Sequence, residues 1–336
     1  MIENTVSRRR LIRDALALGL TGGLAPRAFA QSPPDWPRGP IRLIVPYAPG
    51  GVTDVLARLL ARHTAERLGQ PVIIENRAGA GGVIGTAAVA KAVPDGYTVG
   101  MAGSSAIIGT PIINPLVPFN VATDLAFVSL SATVPMTLAV HPSLPVNSAP
   151  ELLKYIRANR GKLSYGSTAV GHYGHLAAME MSDSQDGAMV HTPYKGETPL
   201  VQDLASGQIQ IAFVAPGSIK PMVDAGKARI LGVSGVKRLK PLPNMPTLLE
   251  QGLDSQVYRM NPGWLGIIAP ARMAAGPMQR LSAEFAAATR IAEVNALMIE
   301  MGLDPLGSTS ESFTATVEAE RPVWRELLTK AGLVPK

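Results

Sequence analysis

Short apolar runs, each followed by a longer segment with apolar positions at helical spacing, recur along the chain from residue 41 onward. "IRLIVPY" (41–47) reads as a strand, and "VTDVLARLLARHTAERLG" as a helix with Val55, Leu59 and Leu60 on its apolar face and Gly69 at its end. "PVIIENR" gives a second strand, "AGAGGVIGTAAVAKAVPDG" a helix of small residues stopped by Pro94, and "YTVGMAG" (97–103) a third strand. Strands alternating with helices predict βαβ units around largely parallel sheets.

From about His141 the same pattern restarts. "SAPELLKYIRANRG" predicts a helix capped by Ser148, with Glu151 three residues on as in a capping box. Strands follow in "LSYGS", "AMVHTPYKG", "IQIAFVAPGS" and "RILGVSG", with helices between them in "GHYGHLAAMEMS", "ETPLVQDLASG" and "IKPMVDAGKA". The Pro-rich "KPLPNMPTLLEQG" (240–252) reads as a loop returning to the first unit. "WLGIIAP" comes next, then helices near 276–292, 292–301 and 310–331. The pattern describes two α/β lobes, the second inserted into the first.

A length of 336 residues fits two cores better than one, and 17% charged with 46% hydrophobic residues fits a folded globular chain. The absence of cysteine removes a disulfide framework, a thiolate nucleophile and Cys-ligated zinc. The net charge of +6 does not point to nucleic acid, because the one basic cluster, Arg8–Arg10, belongs to an export leader. "SRRRLIRDALALGLTGGLAPRAFAQ" has a basic start, a short apolar run and "AFA" before Gln31, which places a twin-arginine-like signal in residues 1–30 with cleavage after about Ala30. Residues 1–30 hold five arginines and two acids, so the mature chain carries +3. The apolar run is too short to span a bilayer, and no later segment reaches that length. The mature protein is expected to be periplasmic and not membrane-embedded.

The turn "YAPGGVTD" (47–54) leads from strand to helix through two glycines. Backbone N–H groups at Gly51, Val52 and Thr53, with the positive helix end, suit an anion. A plain strand-to-helix turn with a Thr/Asp cap fits the same residues. A phosphate loop does not, because no G-x-x-x-x-G-K-[ST] occurs, and "GAGGVIG" (79–85) fails the dinucleotide spacing. "YGSTAVGHYGHL" (165–176) and "PYKGETPLVQDL" (193–204) repeat the strand–loop–helix device, and such loops sit where open α/β sheets bind ligands. No G-x-S-x-G elbow is present, and Ser167 with His172 is the only local Ser–His candidate. His172 and His175 lack the Glu of a metal-binding H-E-x-x-H, so no metal is expected, and no cofactor either. His191, Met179 and Met181 read as structural.

"PIRLIVPYAPGGVTDVLARLLA", "LGQPVIIENRAGAGGVIGTAAVAKAVPDGYTV", "HTPYKGETPLVQDLASGQIQIAF" and "AGKARILGVSGVKRLKPLPNMPTLLEQGL" resemble the Bug-type extracytoplasmic solute receptors. These are the substrate-binding proteins of tripartite tricarboxylate transporters. The resemblance runs from about Trp36 to Lys336. It implies an α/β, two-lobed periplasmic-binding-protein fold of type II, each lobe a mixed, mostly parallel sheet flanked by helices, with the ligand cleft between lobes. Lobe 1 would comprise 31–137 and 259–336, lobe 2 the inserted 138–258, with a hinge near 137–140 and 258–263.

The resemblance also implies a non-catalytic monomer that holds a small carboxylate and delivers it to the transporter's membrane subunits. Its ligand-binding positions map here onto Tyr47, Pro49, Gly50, Gly51, Val52, Thr53 and Asp54, with Asp54 acting through a cap or water. Further positions are Ser104, Ser105, Thr133, Ser167, Thr168, Ala169, Gly171, His172, Tyr194 and Ala215. Many members read F-D-N-L-P-S where this chain has "FVAPGS" (213–218). Val214 and Ala215 replace an acid and an amide, which leads us to expect a simple carboxylate rather than an amino acid. A ligand sensor on the same fold and an exported hydrolase using Ser167 and His172 are the rival readings.

Overall fold

The computed structural model describes residues 36–335 except 261, so the expected leader and its cleavage site lie outside the described residues. The first sheet contains β1 (Ile41–Val45), β2 (Val72–Asn76), β3 (Thr98–Gly103), β4 (Leu125–Thr133), β10 (Trp264–Pro270) and β11 (Asp304–Pro305), in the order β11-β4-β10-β3-β1-β2. The second contains β5 (Thr137–Val140), β6 (Ser164–Ser167), β7 (Val190–Pro193), β8 (Ile211–Val214) and β9 (Arg229–Val233), in the order β7-β6-β8-β5-β9.

Both sheets are mixed, and parallel pairing is confined to the βαβ units: β1 with β2 and β3, and β6 with β7 and β8. The other pairings are antiparallel, so the sheets are less parallel than the sequence pattern suggested. The cause is the double crossing between lobes. β1, β3 and β4 run towards the cleft, whereas β5 and β10 begin at it, each delivered from the other lobe, and therefore run away from it.

Helix α1 (Val52–Leu68) buries Leu56, Leu60, Thr64 and Leu68, four residues apart, with Ala57 and Ala61 beside them. Val55 is 43% exposed, so the buried face is turned from the one the large side chains suggested. The small Ala57 and Ala61 let the helix lie close to the sheet, which fixes that rotation. The small-residue segment forms only α2 (Val83–Ala90), preceded by a tight turn at 80–82 with positive φ at all three residues. In the second lobe, α3 (Ala149–Ala158), α4 (Tyr173–Asp183), α5 (Glu197–Ser206) and α6 (Pro216–Asp224) follow β5, β6, β7 and β8. Ser148 caps α3 as the sequence predicts, its Oγ accepting the Glu151 N–H, while the Glu151 carboxylate reaches back to the Asn147 N–H instead. Helices α7 (Ala275–Thr289), α8 (Ala292–Glu300) and α9 (Ser310–Lys330) complete the described chain.

The expected hinge segment 137–140 is itself the paired strand β5, so the crossing backbone is 134–136. There the Val134 N–H donates to Gly263 O at 2.8 Å, tying the two crossings together. The Pro-rich loop does not return to the first lobe: Thr247 bridges β9 at Val233, and Leu248 is fully buried. Helix α9 spans both lobes. Ser310 Oγ donates to Phe127 O at its start, and Lys330 pairs with Glu180 of α4 at its end. Among the described residues, no helix is long and apolar enough to cross a membrane.

Candidate functional site

The ends of β1, β3, β4, β6, β7 and β8 that point at the cleft surround one cavity of about 110 Å³ between the lobes. One water needs roughly 10–15 Å³ on the same measure, so the space suits a small molecule. Four helices aim their N-termini at it. Their N-caps Gly51, His172, Gly196 and Ala215 all line the wall.

The donor end of the cavity is built on α1. No side chain caps it, and its first N–H groups, at Val52 and Thr53, have no intrahelical acceptor. Gly50 has φ +87 and makes the turn, a conformation that favours glycine. Gly51 lies at φ −79 with open space where a Cβ would stand, so there the missing side chain clears the approach to the backbone. Ser104 and Ser105 add hydroxyls from the end of β3.

Asp54 holds this turn in place. Its carboxylate accepts from the Gly50 N–H at 3.0 Å, from Arg58 at 2.9 and 3.0 Å, and from Asn76 Nδ2 at 2.8 Å. Burial pushes its pKa up, but the Arg58, Asn76 and Gly50 donors outweigh that and keep it below the usual carboxylate range. Asp54 is a positioning residue behind the turn rather than a group on the cavity wall.

Of the other expected positions, Tyr47, Gly51, Val52, Thr53, Ser104, Ser105, Thr168, His172 and Ala215 line the cavity. Ala169 and Tyr194 line an adjoining one, where the Tyr194 hydroxyl donates to Asp203. Pro49, Gly50, Thr133, Ser167 and Gly171 are not brought to the wall. Pro49 and Gly50 are exposed, Thr133 pairs within its sheet, and the Gly171 N–H donates to His175 Nδ1. Ser167 does not pair with His172. Its hydroxyl donates to Ala169 O at 2.9 Å and lies 2.7 Å from His191 Nε2, while His172 Nδ1 meets Thr168. A serine that donates to a carbonyl is not poised as a nucleophile, so the Ser167–His172 pair of the hydrolase reading is not assembled.

Burial lowers the pKa of His172 to about 4. That of His175 also falls to about 4, through burial and then its histidine neighbours, so both are neutral at pH 7. Burial, then the charge of Glu197, raises Tyr47 to about 12.

Sequence reasoning missed Met136, Glu197, Thr198, Pro199, Pro262, Gly263, Trp264 and Leu265 on the wall. Glu197, Thr198 and Pro199 follow the 193–196 turn of a loop that the sequence did mark, but as the first residues of a helix they carried no ligand signal of their own, and the crossing segments carry no motif. Glu197 overturns the premise that the cleft lacks an acid after the loss at 214–215. Its Oε1 accepts the Ala215 N–H at 3.0 Å, so the carboxylate now occupies the place beside that substitution.

Two α/β lobes closing on a cavity ringed by helix N-termini form the architecture of a solute-binding protein of the periplasmic type. The chain matches the tripartite tricarboxylate transporter family receptor over residues 56–333, and it belongs to that family. It is 36% identical to the protein BugT of Bordetella pertussis over 252 residues, 74% of this chain and 75% of the relative. It is 32% identical over 333 residues to the protein of the tcbD-tcbE intergenic region of Pseudomonas sp. strain P51, covering 99% and 96%. Among solved structures, Rpa4515 of R. palustris with adipate superposes with a TM-score of 0.85 at 32% identity, over 90% of this chain and all of that one.

Proposed function

We propose that this chain is a non-catalytic, monomeric receptor that captures a small carboxylate between its lobes and delivers it to the membrane subunits of a tripartite tricarboxylate-type transporter. The observation that carries the reading is the uncapped α1 terminus on the cavity wall, where the Val52 and Thr53 N–H groups stand without a protein acceptor. A helix terminus contributes roughly 0.3–1 kcal/mol to anion binding, and micromolar capture needs about 8 kcal/mol. Lobe closure supplies the remainder by desolvating the ligand against Val134, Met136, Trp264 and Leu265. Family membership supports the transporter role, and the adipate bound to Rpa4515 supports a carboxylate.

In this reading, residues 1–30 direct export to the periplasm and are removed after about Ala30. Lobe 1 (31–137 and 259–336) and lobe 2 (138–258) close about the crossing at 134–136 and the expected second one near 258–263. A thermal-shift screen of straight-chain mono-, di- and tricarboxylates on the mature protein tests the proposal, because a ligand that binds only the folded state raises its melting temperature. A saturable rise with at least one carboxylate is expected. A flat response across the panel would refute the reading.

A further inference from the structure

Glu197 is the one group on the cavity wall that carboxylate capture leaves unexplained. It stands at the first helical position of α5, directly after Gly196, and it is the only carboxyl group on the wall among the described residues. Its Oε1 accepts the Ala215 N–H at 3.0 Å, and its Oε2 accepts the Ser218 hydroxyl at 2.5 Å. Both donors belong to the start of α6, so they fix the carboxylate on the second lobe and leave its remaining lone pairs without a donor among the described residues.

Among the described residues no Lys or Arg lines this cavity to compensate it, and Lys195 borders the adjoining one. His172, which also lines the wall, is neutral at pH 7, because burial holds its pKa near 4. Tyr47, from the first lobe, carries no positive charge, and its pKa is raised by burial first and by the charge of Glu197 second. Burial likewise raises the pKa of Glu197 against the two hydrogen bonds that lower it. A partly buried acid in this position lacks a counter-charge until a ligand brings one.

The cavity therefore has two unlike ends. Backbone N–H groups of α1 with Ser104 and Ser105 form a donor end on the first lobe, and Glu197 forms an acceptor end on the second. Val134, Met136 and Leu265 supply apolar wall between the lobes. We propose that Glu197 is the specificity-determining residue of this receptor and selects, among carboxylates, those whose other end carries an ammonium group. The inference rests on the carboxylate reading of the α1 terminus. A dicarboxylate would bring a second negative charge to Glu197, whereas an amino acid gives each charge its partner, so repulsion and attraction act together in the selection.

The test is titration calorimetry of the mature full-length protein with matched sets of equal carbon number. Butanoate, succinate and 4-aminobutanoate form one set; hexanoate, adipate and 6-aminohexanoate form another; acetate and glycine cover the short limit. In the wild type, the amino member of at least one set is expected to bind about tenfold or more tighter than its mono- and dicarboxylate counterparts. In Glu197→Gln that preference should fall to about twofold or less, with monocarboxylate binding retained. Ser218→Ala, which keeps the charge and removes one hydrogen bond, should preserve the wild-type ranking.

A dicarboxylate or plain monocarboxylate binding tightest to the wild type would overturn the inference, whatever the stability of the variants. So would a Glu197→Gln protein that loses all members of a set equally, since that marks Glu197 as a cap for α6 alone. A wild-type protein that binds no member of any set overturns the carboxylate reading itself, and this inference with it.

Discussion

Asp54 and Gly51 sit three residues apart and shape the turn before α1, the proposed anion anchor, in opposite ways. Asp54 is 3% exposed and ties Gly50, Arg58 and Asn76 together, whereas Gly51 leaves room at the cavity wall. Asp54→Asn keeps the shape but removes the charge, and it is expected to destabilise the fold by about 2 kcal/mol at pH 7. The folded-state pKa of Asp54 lies below its unfolded value, so its contribution is present in full above the usual carboxylate pKa. It is lost as pH falls through the lower, folded value. Thermal melts of the two proteins should therefore converge on acidification towards pH 3. The turn itself was legible in the sequence as a strand-to-helix junction softened by two glycines, and only its sister loops and the family resemblance marked it as a candidate site. The capping role of Asp54 was legible too, since its carboxylate accepts the Gly50 N–H, and Arg58 lies four residues on along the same helix. Its partner Asn76 was not, because it becomes a neighbour only when α1 packs beside β2. Glu197 was illegible for the same reason: in sequence it is an acid in the first turn of a helix, and only the packing of α6 against α5 turns it towards the cavity.

At the scale of elements, local signals served best where the cause is local. The α3 cap is one such case: Ser148→Ala should cost about 1 kcal/mol, read as a lower denaturation midpoint with an unchanged slope. β4 and β5 lay in a stretch that the alternation of strands and helices did not divide, because they join directly through the crossing at 134–136 with no helix between them. The direction of β5 and β10 depends on which lobe delivers them, which no residue-level pattern encodes. The rotation of α1 followed the small Ala57 and Ala61 rather than the larger Val55, a choice that close packing makes and hydrophobicity alone does not.

At the scale of the whole molecule, contacts cross the cleft and tie the two lobes together. The Gly217 N–H at the start of α6 donates to Met301 O after α8 at 3.1 Å. His172 lies against Gly81 of the other lobe, where a Cβ would stand 3.1 Å from its Nε2. Burial holds the folded pKa of His172 near 4, against an ordinary value of 6.5. The unfolded chain therefore takes up a proton first as pH falls, so stability is complete above about pH 6.5 and declines towards pH 4. The full shift corresponds to roughly 3 kcal/mol. His172→Gln should flatten the fall in melting temperature between pH 7 and pH 4.5 relative to the wild type, while a parallel fall in both proteins would assign the acid sensitivity elsewhere.

The receptor role rests on the α1 terminus as the anchor for a carboxylate, and one comparison tests that most directly. Calorimetric titration of wild type and Gly51→Val is made with the best-binding member of a panel of straight-chain mono- and dicarboxylates. A Cβ at 51 meets no protein atom within 4 Å, and the backbone there is in an extended conformation that valine adopts, so the fold should be unaffected. Wild-type binding that weakens at least about tenfold in Gly51→Val, a loss of about 1.4 kcal/mol, with an unchanged melting temperature is the expected result. Equal affinity in the two proteins would contradict it.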